Sequence, residues 1–106
     1  MPLISRHWKG VARRDQAEAY VRHLLADTFP HLRGIPGFVR ATILRREVED
    51  GTEFQIVSLW ESLDAIRAFA GEHLDVAVVP AAVQAMMVRY DRRVLHYDVA
   101  ETFEAR

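Results

Sequence analysis

Between Phe38 and Gly71 the chain spells out a strand, a reversal, a second strand and a helix in one uninterrupted run. Phe38 to Val48 is rich in β-forming residues, and Glu49-Asp50-Gly51-Thr52 carries the Asp-Gly signal of a tight hairpin. Glu53 to Trp60 returns as the alternating antiparallel partner. A hairpin with one buried face fixes its own register, because a slip of one residue turns every side chain to the other face. Ser62 then offers a hydroxyl as N-cap. Leu63, Ile66, Phe69 and Ala70 give a short helix its apolar stripe, and Gly71 ends it. Trp60 falls at the strand-to-helix junction, where an aromatic can wall a space between sheet and helices.

The flanking segments complete a small pattern. Leu3 to Val11 reads as a first strand, with Ile4, Arg6 and Trp8 on one face and Leu3, Ser5 and His7 on the other. Asp15 with Glu18 forms a capping-box pattern, followed by Ala17, Tyr20, Val21, Leu24, Leu25 and Thr28 at helical spacing. Pro30 is expected to bend or end that helix near Phe29, with a further turn through Leu32 closed by Gly34. Pro36-Gly37 marks a turn. Residues 72–77 read as a loop. Pro80 opens a second short helix with the stripe Val83, Met86, Met87 and Tyr90. Val94 to Val99 is a last strand, and the tail beyond Glu101 is polar.

The order predicts one α+β domain over the whole chain, core about 3–99. Its form is a ferredoxin-like βαββαβ unit whose antiparallel sheet has strand order 4-1-3-2. Leu3, Val39, Ile43, Val57, Leu59, Leu95 and Val99 are expected on the sheet face away from the helices. A sheet apolar on both faces must be covered twice, so a homodimer is expected, sheet against sheet.

Composition removes several function classes. A formal net charge of -1 over 106 residues gives no bulk attraction for nucleic acid or an anionic membrane. Without cysteine there are no disulfides, thiolate nucleophiles or Cys-ligated metals. The N-terminus lacks the pattern of a secretory leader and no apolar run is long enough to span a bilayer, so a cytoplasmic location is expected. No phosphate-binding glycine loop, serine elbow or nucleotide fingerprint occurs. The pairs Arg13-Arg14, Arg45-Arg46 and Arg92-Arg93 have acids nearby and read as solvated edges.

The opening Ser5-Arg6-His7-Trp8-Lys9-Gly10, the turn Ile35-Pro36-Gly37-Phe38, Leu59-Trp60-Glu61-Ser62, Ala68-Phe69-Ala70-Gly71 and the closing His96-Tyr97 together resemble the antibiotic biosynthesis monooxygenase family. The resemblance spans roughly residues 3 to 99. It implies a dimeric α/β barrel. It also implies either of two chemistries, oxygenation of anthrone-like phenols or quinols without metal or flavin, or haem binding and degradation, and leaves a non-catalytic dimeric α/β-barrel binding module as the further alternative. The strand-end tryptophan of both branches matches Trp60. The asparagine usually paired with it has no counterpart in the first or third strand. The position of the haem-ligating histidine, ten after the tryptophan, is Ala70, with His73 nearby.

Trp60 and His96 are the candidate catalytic groups. The indole N–H of Trp60 could hold a substrate oxygen, and a histidine in an apolar cleft titrates in the right range for a general base. With the last strand beside the first, His96 is expected near Trp8 and Trp8 near Trp60. Trp8 and Arg6 could bind a planar anionic or phenolic ligand by stacking and charge. Ser58, Phe69 and Met86 are further candidate wall residues. Each has a structural alternative: core aromatic, hydrogen-bonded edge histidine, surface ion pair. His7 points to the expected dimer face. His23 and His31 belong to the helix surface. No cofactor is expected for the oxygenase reading; for the haem reading, His73 or His96 would be axial ligand. The expected ligand is a hydrophobic or aromatic small molecule.

Overall fold

Alternation and turn chemistry build a sheet of four antiparallel ladders, three of them on one central strand. The computed structural model describes residues 2–105. β1 (Ile4–Ala12) pairs with β3 (Gly51–Trp60) along its whole length, and β3 pairs with β2 (Phe38–Val48). The other edge of β1 is shared by two short strands, β4 (Met87–Tyr90) at its C-terminal end and β5 (Leu95–Asp98) at its N-terminal end. The order is therefore β2-β3-β1-β4, with β5 also on β1. This is the expected α+β, ferredoxin-like arrangement with its last strand split in two.

Three helical segments cover one face. α1 (Ala17–His23) and α2 (Phe29–Arg33) are joined by a π-helical turn, Leu24–Thr28, in which the Phe29 amide donates to the Leu24 carbonyl. The expected end at Pro30 does not occur. Backbone angles stay helical through the junction, and the widened turn relieves the clash a proline ring makes in a regular ladder. The Asp15–Glu18 capping box does not form either. A 3-10 turn over Arg14–Gln16 precedes α1, and no side chain caps it. α3 (Leu63–Ala70) is as read: the Ser62 hydroxyl accepts from the Ala65 amide at 3.1 Å, and Gly71 leaves the helix at positive φ.

The segment from Pro80 differs. Only Ala81–Gln84 is helical (α4), and Met87–Tyr90 is a strand. Gly10 to Ala12 leave an open edge on β1, and Tyr90, Arg89 and Met87 fill it. Pairing of backbone groups there outweighs the helical stripe read from Val83, Met86, Met87 and Tyr90.

β2 carries a bulge between Phe38 and Arg40. It inserts one residue into the alternation, so Ile43 stands opposite Ile56 on the helix-covered face, not on the outer face as expected. The outer face keeps Val57, Leu59, Leu95 and Tyr97, with Leu95 and Tyr97 more than half exposed.

The core has two centres. Phe54, Tyr20, Leu24, Val83 and Met87 form one, and Trp60, Leu32, Ala65 and Ile66 form the other; Phe29 packs against both. Phe54 and Ile66 are fully buried, each worth about 1.5–3 kcal/mol of burial. No helix among the described residues is long and apolar enough to cross a membrane.

Candidate active site

Register brings the polar candidates into one row. Across the sheet, His96 stands opposite Arg6, Arg6 opposite Ser58, and Ser58 opposite Ala41. One pair along, Trp8 faces Ile56; in the other direction Ile4 faces Trp60. All these side chains point toward the helices.

Above this row lies a half-open cavity between the two core centres. The sheet contributes Arg6, Trp8, Ile56 and Ser58. The helical layer contributes Tyr20, Leu24, Thr28, Phe29 and Leu32, several of them presented by the π-helical turn. Phe69 closes one side, and Val78 and Pro80, both partly solvent-exposed, border the mouth. The space open to the centre of a water molecule is about 80 Å³. A dry cavity of roughly 150 Å³ takes in benzene. The slot is about half that size, so it has room for part of an aromatic ring, with space for the remainder only at the open mouth.

Arg6 is the only charged residue buried among the described residues, 4% exposed. Its Nη1 donates to the Leu74 carbonyl at 2.7 Å and lies 2.9 Å from His96 Nε2, and its Nη2 donates to the Val76 carbonyl at 3.2 Å. Its guanidinium stands 5.7 Å over the Phe69 ring. Among the described residues no carboxylate pairs with it, and burial lowers its pKa to about 10, so it stays charged at neutral pH. His96 accepts from Arg6 through Nε2, which fixes the proton on Nδ1. Burial, then the Arg6 charge, lowers the His96 pKa.

Trp60 is fully buried behind the wall, and its Nε1 donates to Ser58 Oγ at 2.8 Å. The indole N–H is thus spent on Ser58, whose hydroxyl lines the cavity. Ser58 accepts from the indole and keeps its own O–H to give. Trp60 packs edge-on to Phe38 and stacks on Phe69.

Of the residues singled out from the sequence, Arg6, Trp8, Ser58 and Phe69 meet at the cavity. Trp60 acts on it from behind, and His96 touches Arg6 rather than the cavity wall. The expected contacts His96–Trp8 and Trp8–Trp60 do not form. Trp8 sits among Tyr20 and Tyr90 and donates its Nε1–H to the Asp91 carbonyl. Met86 packs on the first core centre, away from the lining. His73 is exposed on the loop. Haem does not fit these residues: the slot is small, His73 is outside it, and His96 Nε2 is engaged by a cation. No cluster of metal ligands occurs among the described residues. The reading from sequence missed the wall from Leu24 to Phe29, since its spacing signals only an ordinary core stripe. Tyr20, on the same helical stripe, is both core and cavity wall. Burial raises the Tyr20 pKa, so its hydroxyl keeps its proton.

Residues 11–75 match the sequence profile of the family described as antibiotic biosynthesis monooxygenase, more than half of the chain. The chain belongs to the antibiotic biosynthesis monooxygenase family. No curated protein matches the sequence. Solved structures with the same fold include SnoaB, a cofactor-independent oxygenase from Streptomyces nogalater, at 21% identity and TM-score 0.65, covering 96% of this chain and 97% of that one. The monooxygenase ActVA-Orf6 of Streptomyces coelicolor, in complex with nanaomycin D, shares 18% identity at TM-score 0.66, over 99% and 93% of the two chains. The heme-degrading protein Rv3592 of Mycobacterium tuberculosis is similar at 17% identity and TM-score 0.60, over 99% and 100%. These likenesses carry the fold; the chemistry rests on the site.

Proposed function

We propose that this member of the family is a cofactor-independent oxygenase of small phenolic or quinol-type aromatics, working as a homodimer. The observation that carries the reading is the pairing of two kinds of group in one apolar slot: a buried cation without a carboxylate, and a hydroxyl whose acceptor side is fixed by an indole N–H. The substrate ring lies among Trp8, Ile56 and Phe69. Ser58 donates to the ring oxygen, with its hydroxyl oriented by Trp60. The positive field of Arg6 favours the ionised substrate, a through-space effect that is strong where water is excluded. His96 keeps the guanidinium in place, so a water at the mouth takes the proton. The electron-rich ring carbon then passes electrons to dioxygen and bonds to it. Protonation gives a hydroperoxide, and loss of water leaves a carbonyl. A methylene and one dioxygen thus become one carbonyl and one water. The protein contributes orientation and charge.

Oxygen uptake by metal-free protein tests this, with 1,4-dihydroxynaphthalene and anthrone as substrates. Ser58→Ala and Trp60→Phe are each expected to lower turnover by roughly 10²-fold, the scale of losing one oxyanion donor. The double variant should do little worse than either single, because the two act as one unit. Uptake no faster than the uncatalysed reaction, or additive losses, would sink the scheme.

A further inference from the structure

Burying a guanidinium without a counter-charge is costly, and the fold offers nothing acidic to offset it. Among the described residues every salt bridge lies elsewhere, and Asp75, one residue from the two carbonyls that hold Arg6, is taken by Arg93. A guanidinium has five N–H donors. Leu74, Val76 and His96 account for three of them: both on Nη1 and one on Nη2. The donors left over are Nε–H and one Nη2–H, on neighbouring nitrogens of the same plane. Two such parallel donors match the two oxygens of a carboxylate. The partners already made are all neutral, so they orient the group without discharging it. Phe69 beneath the guanidinium and Trp8 on the same strand face continue the slot as apolar surface.

We propose that the ligand of this cavity is an aromatic acid, its ring in the apolar slot and its carboxylate gripped by Nε–H and the remaining Nη2–H of Arg6. This deepens the functional reading above and rests on the same cavity. One negative charge discharges the site. A phosphate would bring a third oxygen and surplus charge to a place with two donors and one cation. A neutral phenol would leave the cation as uncompensated as before. The substrate class becomes a hydroxylated aromatic acid, with the carboxylate on Arg6 and the phenolic oxygen on Ser58; the Arg6 charge then seats the acid, and stabilisation of the phenolic oxygen falls to the Ser58 hydroxyl.

Quenching of tryptophan fluorescence by 2-naphthoate and by 2-naphthalenemethanol tests the assignment, since the two differ only in the charged group. The acid is expected to bind about tenfold or more tighter to the unaltered protein, the scale of a charge-assisted hydrogen bond. Arg6→Met should bring the acid down to the affinity of the alcohol. Arg6→Lys, a point charge without the fork, should restore only part of the preference. An acid that binds no better than the alcohol to the unaltered protein, including no binding of either, overturns the proposal whatever the variants do. A preference for the acid without oxygen uptake on any quinol would leave this assignment standing and remove the oxygenase.

Discussion

At the scale of single residues, the site is organised by what each polar group has already given away. Trp60 was legible as important, and its position at the end of β3 is as read. Its N–H is committed to Ser58, which no spacing in the sequence could show, because it depends on two side chains on the same strand face curling together. Arg6 and His96 were legible as candidates; their pairing follows from the register of β5 on β1, a long-range fact. That pairing has a pH consequence. Burial lowers the pKa of His7, and burial with the Arg6 charge lowers that of His96. In the unfolded chain each takes up a proton near pH 6.5, and in the folded chain only at lower pH. Between those values the unfolded state binds more protons, so acidification favours unfolding. Urea midpoints should hold steady from pH 8 to pH 7, then fall as the pH drops below about 6.5. His96→Asn, which keeps an acceptor for Arg6, should shrink that fall. A midpoint equal or higher at pH 5.5 contradicts the assignment.

At the scale of elements, β1 shows how a backbone choice serves the cavity. A Cβ on Gly10 would stand 2.5 Å from the Trp8 ring and 3.1 Å from Tyr90 Cβ. The bare glycine lets the indole lie back along its own strand. Gly10→Ala is therefore expected to push Trp8 off the wall, weakening 2-naphthoate binding severalfold, with a stability loss of about 1–3 kcal/mol from overpacking. Unchanged affinity would mean that Trp8 does not shape the slot. The hairpin β2–β3 and the capped helix α3 were readable because turn and cap chemistry are local. The bulge in β2 and the strand at Met87–Tyr90 were not. A bulge has no composition of its own here, and β4 exists because β1 leaves an edge unpaired. Gly37, by contrast, was signalled by Pro36-Gly37: it sits at φ 96°, and a Cβ there would meet Ala65 Cβ at 2.6 Å.

At the scale of the whole molecule, one sheet face is covered by helices and the other is bare. Leu95 at 61% and Tyr97 at 53% exposure flank His7, whose ring meets Tyr97 edge-on and whose Nε2 lies 2.6 Å from Ser5 Oγ. Val57 and Leu59 continue the patch on β3. A second copy is the cover the homodimer proposal supplies. Light scattering at micromolar concentration should give twice the chain mass, and Leu95→Asp with Tyr97→Lys should give a folded monomer. A monomer in the unaltered protein would remove the dimer. The π-helical turn bears on the molecule in another way. A turn closed from residue to fifth residue is a helix that has swallowed one spare amino acid without changing its ends. Each residue of a regular helix advances about 100° around the axis. Removing one from Leu24–Thr28 would thus restore a regular helix with Phe29 and Leu32 still in place, and would re-aim only the side chains within the turn, Leu24 and Thr28, which line the slot. The shape of the ligand chamber hangs on a single unit of chain length, so this lineage can acquire a new specificity by counting rather than by chemistry.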